Sequence, residues 1–171
     1  MAEYTIRPAA ERDAEQLAAI KSSYVRSLYR GFLSAGVLKG ATVEYYLPEI
    51  AGWIKDRKYH VDALECDGQM MGFIVYGADQ TCPGFGLIRE EAVQPACGRR
   101  EKDALAHHAI GELTAMGFHD IHLWVLRDNF RVRFLYESIG FRPDGAVRVE
   151  PRDNLELNIS RYVYHLPASG E

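Results

Sequence analysis

Any chemistry in this 171-residue chain would fall to a few side chains whose types and settings stand out. Tyr136 carries a phenol, which unperturbed titrates at about 10, so it is protonated at neutral pH and able to donate. The plainer alternative is a buried helix tyrosine whose hydroxyl only finds a partner. Asn129 offers two donors and an acceptor, and its place just after Asp128 also suits a helix N-cap. Glu90 and Glu91 are adjacent in a β-prone run, where strand alternation puts Glu90 on the face opposite Glu91 and Val93. Solvated surface carboxylates are common enough to weigh equally against a role for Glu90. His107 and His108 point in different directions on a helix, and the spacing of His119 and His122 puts that pair on opposite faces. No four-ligand metal set forms from them. No Gly-x-Ser-x-Gly motif supports a serine nucleophile. Cys66, Cys82 and Cys97 are odd in number and irregular in spacing, which suits neither a disulfide framework nor a zinc site and fits a reducing cytoplasm.

These groups need elements to hold them. Ile121 to Val125 is apolar and β-prone, a buried strand. Asp128-Asn129 breaks the run, and Val132, Leu135, Tyr136 and Ile139 then recur at helical spacing. Gly140 closes that helix by tolerating a left-handed conformation, and Phe141 begins the next extended run. Upstream, Tyr4 to Pro8 is a short strand, and the segment from Glu11 to Tyr29 is helix-like. Tyr59 to Leu64 and Met70 to Tyr76 form a hairpin across Asp67-Gly68. Leu87 to Val93 is the next strand, ended by Gln94-Pro95. Ala104 to Met116 carries Leu105, Ala109, Leu113 and Met116 at helical spacing. The tail around Leu155 to Tyr164 reads as a final pairing strand. Tyr24, Tyr29, Phe32, Tyr45, Tyr46, Trp53 and Tyr59 make residues 24–59 unusually aromatic, as rings packing a second helix onto the sheet would. The expected order is β–α–(α)–β–β–β–α–β–α–β, an α+β arrangement around one mixed sheet.

The length is that of one domain, and 47% hydrophobic with 26% charged residues is ordinary for a soluble globular chain. A net charge of −4 weighs against a nucleic-acid partner. The opening residues hold no apolar signal core, and no stretch approaches the length of a membrane span, so neither secretion nor a membrane is expected.

The run Leu123-Trp124-Val125, then Asn129, then Tyr136-Glu137-x-x-Gly140-Phe141 resembles the C-terminal half of the GNAT (Gcn5-related N-acetyltransferase) fold. The N-terminal Ile6-Arg7-Pro8-Ala9 followed by Asp13-Ala14 and Gly72-Phe73 in the hairpin extend the likeness. The resemblance implies one GNAT-type domain over residues 1–171, a mixed central sheet with helices on both faces. It implies an N-acetyltransferase that moves an acetyl group from acetyl-CoA, as co-substrate, to a primary amine by direct attack. Tyr136 would be the acid for the leaving thiolate, and Asn129 the contact to the pantetheine arm. Ile88 to Pro95 resembles the family's (Ile/Leu)-x-Glu-Leu-x-Val-x-Pro strand, which makes Glu90 the candidate base. Main chain at Ala92 and Val93 would hold the thioester. The acceptor would be a small-molecule or peptide amine met near residues 24–59. Carboxylates at Glu44, Glu49 or Asp56 would favour a cationic one, unless they form only a solvated helix face. Many family members dimerise, so a homodimer is the expected assembly.

One segment departs from the family. Where the pattern has Arg/Gln-x-x-Gly-x-Gly/Ala around the CoA pyrophosphate, this chain reads Pro95-Ala96-Cys97-Gly98-Arg99-Arg100-Glu101-Lys102-Asp103. Counting back from Gly117 puts Gly98 at the first glycine, with Arg100 and Lys102 at the others. Counting forward from Pro95 puts Glu101 and Asp103 there. Arg99, Arg100 and Lys102 would then replace bare backbone as phosphate ligands, while Glu101 and Asp103 would oppose them. The alternatives to acetyl transfer are therefore a GNAT-fold binding or regulatory module that has lost acetyl-CoA, and a transferase using a different acyl donor.

Overall fold

The seam of the molecule lies between two neighbouring parallel strands, β4 (Gly86–Val93) and β5 (Asp120–Leu126), in a computed structural model that describes residues 3–31, 33–152 and 155–167. Before the seam come β1 (Tyr4–Pro8), a 3-10 turn at Glu11–Asp13, and the helices α1 (Ala14–Leu28), α2 (Ala35–Lys39) and α3 (Val43–Asp56). The hairpin of β2 (Tyr59–Cys66) and β3 (Gln69–Ala78) follows. Helix α4 (Arg99–Ala115) crosses from β4 to β5, and α5 (Phe130–Ile139), β6 (Arg142–Arg152) and β7 (Leu155–His165) complete the chain. The sheet order is β1-β2-β3-β4-β5-β7-β6, a single mixed sheet. Phe32, one of the aromatic candidates, lies outside the described residues.

Local chemistry accounts for the joints. Asp67 and Gly68 turn the β2–β3 hairpin with φ of 50° and 78°, the positive values a two-residue turn of this hand requires. The side chain of Asn129 accepts from the Val132 amide at 3.3 Å and caps α5, while Gly140 ends it at φ 126°. Gly72 faces Val93 across β3 and β4; a Cβ there would sit 2.8 Å from both the Ala92 carbonyl and the Val93 side chain, so only glycine fits.

Each face of the sheet buries its own core. Leu17 and Ile20 of α1 and Ile50 of α3 join Phe73, Val75 and Ala92. Leu105, Ala109 and Leu113 of α4 and Leu135 and Tyr136 of α5 join Ile74, Ile88 and Val93. A β-bulge decides which core each β4 side chain meets. Val75 pairs with Glu90 but Tyr76 pairs with Ile88, so Arg89 is the extra residue. Ile88 and Glu90 therefore lie on opposite faces, which simple alternation would forbid.

Two expectations need correction. The tail holds two antiparallel strands, β6 and β7, where the expected order has one. Pro143, Gly145 and Pro151 hide β6 in the sequence, and they are tolerated because it is an edge strand with a register shift between Pro143 and Val147. Helix α4 begins at Arg99 rather than Ala104, since its first turn is polar and shows no apolar period. Among the described residues no helix is long and apolar enough to cross a membrane.

Candidate active site

Strands β4 and β5 pair only over Gly86, Leu87 and Ile88 with Ile121, Leu123 and the His122 between them, and then part. Beyond that point neither strand has the other as partner, and a cleft of ≈ 900 Å³ opens between them. Glu90 and Glu91 line it from β4, Asn129 from the α5 cap, and Val132 and Tyr136 from α5 itself. The other side is walled by α1 and α3, which contribute Lys21, Tyr24, Tyr46, Glu49 and Trp53. The aromatic stretch thus has two roles: Tyr46 is buried in the core, and it also faces the cleft with Tyr24, Trp53 and Tyr59. Of the three acidic residues considered for the acceptor, Glu49 reaches the cleft, while Glu44 and Asp56 are exposed and do not line it.

On one side of β4 the Tyr136 hydroxyl donates to Glu91 Oε2. Tyr136 is only 4% exposed, and burial followed by the Glu91 charge pushes its phenol well above the usual 10. Burial pushes the Glu91 carboxyl up to about 7; the Tyr136 bond and the Lys102 charge pull it down, and Asp103 pushes it further up. Its second oxygen, Oε1, is buried without a hydrogen-bond partner among the described residues, as is Asp103 Oδ1. Tyr24 of α1 sits close enough for Glu91 and Glu90 to raise its phenol, behind burial as the main cause.

On the other side, Glu90 Oε2 lies 2.9 Å from Lys21 Nζ, and Glu49 Oε1 lies 2.5 Å from the same nitrogen. Lys21 is 7% exposed, with its ammonium 4.6 Å from the Tyr46 ring centroid and 5.1 Å from that of Trp53. Burial raises the Glu90 carboxyl, opposed by Lys21. Glu90 thus lines the cleft from the face of β4 opposite Glu91, and it is engaged by an internal amine. Sequence reasoning missed Lys21 and Glu91 as site residues. The readable signal for Lys21 was its place on the buried stripe Ala14, Leu17, Ala18, Lys21 of α1; for Glu91 it was a carboxylate sharing a face with Val93.

The start of α4 departs from expectation in its geometry. Arg99, Arg100 and Lys102 do not converge. Arg99 donates to Ser138 Oγ at 2.5 Å and to Asp103 at 3.3 Å and packs over Phe134, while Arg100 lies over Tyr4 of β1. Only Lys102 lines the cleft, over Tyr24. The reason is helical geometry: three positions within four residues spread around the axis. The amide of Gly98, the N-cap residue of α4, donates to Glu101 Oε2 at 2.8 Å, and the Tyr4 hydroxyl donates to Oε1 of the same carboxylate. The Tyr4 bond, backed by the backbone amides, holds Glu101 below the usual carboxylate range, so a charged carboxylate occupies the helix N-terminus. Ala92 and Val93 are buried in β4, paired to Phe73 and Gly72.

The histidines are paired separately. His108 Nε2 lies 2.7 Å from Asp62, which also accepts from Tyr76, and the buried His122 lies 3.0 Å from Asp79. Among the described residues no group of three or more His, Cys, Asp or Glu side chains is placed to hold a metal ion.

No protein-family model matches the chain, and no curated protein matches it. Solved structures do. The PaiA N-acetyltransferase from Thermoplasma acidophilum, in complex with coenzyme A, is 19% identical with a TM-score of 0.68, covering 92% of this chain and 98% of that one. A ribosomal-protein-alanine N-acetyltransferase from Brucella melitensis is 21% identical at a TM-score of 0.74, covering 95% and 99%. An acetyltransferase of the GNAT family from Streptococcus pneumoniae is 18% identical at 0.69, covering 96% and 100%. Identities this low speak for the backbone and not for the chemistry, and the backbone agrees over nearly the whole of each chain: this protein has the GNAT fold.

Proposed function

We propose that the protein is an acyl-CoA-dependent N-acyltransferase, moving an acetyl group from acetyl-CoA to the primary amine of a small molecule or peptide by direct attack. The observation that carries this reading is the parting of β4 and β5 after three paired residues, with a candidate base and a candidate acid on the two faces of the same strand. The free edge of β4 beyond Ile88 offers backbone donors and acceptors to an extended, amide-bearing arm, which would add to the sheet like a strand. A thioester lying there has Glu90 on the α1 and α3 side and Tyr136 on the α5 side. The incoming amine loses its proton to Glu90, directly or through water, and the departing thiolate takes one from Tyr136. Lys21 must yield Glu90, or share it, when an acceptor binds.

A second reading has its own observation. The Glu101 carboxylate already caps α4, where a diphosphate would use the helix amides, and this favours a binding module without CoA or a transferase with another acyl donor. Thermal-shift titration with acetyl-CoA and CoA separates the readings. At one hundred times its dissociation constant, a bound ligand stabilises the fold by about 2.7 kcal/mol. A dose-dependent shift, with acetyl transfer to a panel of amines, supports the enzyme. A folded protein that shows no shift at millimolar ligand overturns it.

A further inference from the structure

Glu91 shares a face of β4 with the buried Val93, and its carboxylate accepts a hydrogen bond from the hydroxyl that the proposed mechanism needs elsewhere. With Glu91 ionised, the Tyr136 O–H is held by Glu91 Oε2 and is not free for a leaving group. The groups that face Glu91 are Tyr136 from α5, Lys102 and Asp103 from α4, and Tyr24 from α1, with Glu90 beside it on β4. Among the described residues only Lys102 favours the charged form by its charge, and Oε1 is buried with no donor to satisfy it. A buried oxygen without a donor is costly as part of an anion and less so as part of a neutral carboxyl.

We propose, on the basis of the acyltransfer reading above, that Glu91 is a positioning residue that aims the Tyr136 hydroxyl, and that only its protonated form turns that hydroxyl toward the leaving thiolate. As a neutral acid, Glu91 donates its own O–H to Tyr136 Oη, and the phenol proton is free to face the cleft. The amine lone pair forms the C–N bond, the C–S pair leaves on sulfur, and the ammonium proton passes to Glu90. The thiolate takes the Tyr136 proton and Tyr136 takes the Glu91 proton. Glu91 is left as carboxylate, Glu90 as acid, and exchange with solvent resets both. The upward displacement of the Glu91 carboxyl to about 7 places this gate in the physiological range.

The test has two arms. In the free protein, carboxyl-13C-labelled glutamate is titrated by NMR, with the Glu91 signal assigned by its loss in Glu91→Gln. A midpoint near 7 supports the gate, and a midpoint in the ordinary carboxylate range overturns it whether or not the protein is active. In the second arm, kcat is measured against pH at saturating donor and amine for wild type and Glu91→Gln. The variant's amide donates to Tyr136 Oη at every pH, so the wild-type to variant ratio should fall about tenfold per pH unit above the Glu91 midpoint. A ratio that is flat with pH overturns the proposal and leaves acyl transfer standing. Failure to bind CoA and to acetylate any amine instead sinks the functional reading, and the gate with it.

Discussion

Removing one oxygen from Tyr136 tests its role with little disturbance, because Tyr136→Phe keeps the ring and its edge contact with Phe141. The hydroxyl is bonded to Glu91, so its loss leaves a second Glu91 oxygen buried without that donor. The expected cost is about 1–3 kcal/mol in urea unfolding, more than an exposed hydrogen bond would give. Turnover should fall about 10²–10⁴-fold while CoA affinity holds, since the proton is needed only as the thiolate leaves. Wild-type turnover with chemistry rate-limiting would remove Tyr136 from the mechanism. Glu91 makes a separate prediction about stability. Its folded pKa of about 7 exceeds the ordinary 4.5, so its contribution is fully present below about 4.5 and lost as pH rises through about 7. Between those values wild type should lose stability relative to Glu91→Gln by up to about 1.4 kcal/mol per pH unit, read as a pH series of urea midpoints. A difference that does not vary with pH would mean that Glu91 ionises normally in the fold.

At the scale of elements, the start of α4 carries the sharpest question. Glu101 both caps the helix and places negative charge where a diphosphate would bind. Glu101→Ala should therefore cost about 0.5–2 kcal/mol of stability, as lost caps do, while tightening CoA binding at low salt. Weaker CoA binding in that variant would mean that the carboxylate helps form the site. The three cations should also separate. Lys102→Ala is expected to weaken CoA most, because only Lys102 lines the cleft, and the loss should shrink as salt rises. Arg100→Ala, with its guanidinium over Tyr4, should change binding least of the three. Calorimetry at two ionic strengths gives both answers, and equal losses for all three cations would contradict this geometry.

For the molecule as a whole, the relevant feature is a sheet divided at one seam. Within the sheet the two halves pair only through three residue pairs between β4 and β5, while α4 connects them and a shared core packs against both. If an extended donor fills the seam, amide exchange should slow along residues 89–93 and near Asn129, and change little in the β2–β3 hairpin, where pairing is complete. Hydrogen exchange with and without CoA checks this. Protection spread evenly over the sheet would point to general stabilisation and not to insertion at the seam.

Much of the architecture was legible in the sequence, because it rests on short-range periods. The Ile121 to Val125 run, the Val132, Leu135, Tyr136 and Ile139 stripe, the Asn129 cap, the Gly140 stop and the Asp67-Gly68 turn each depend on residues within one or two turns of chain. Together they pointed to this fold, and alternation along the Leu87 to Val93 run put Glu90 opposite Glu91. The site's wiring was not legible. Tyr136 meets Glu91 across 45 residues and Lys21 meets Glu90 across 69, and both contacts depend on strand order and on the bulge at Arg89. Whether Arg99, Arg100 and Lys102 converge, and whether Glu101 faces solvent or caps its own helix, was likewise decided by the packing of α4 against β1, α1 and α5. Backbone periodicity acts along the chain, so sequence alone determined the elements and the faces they turn. The partners of each charged group are chosen by burial and Coulomb energy between distant segments, and only the tertiary structure decided those.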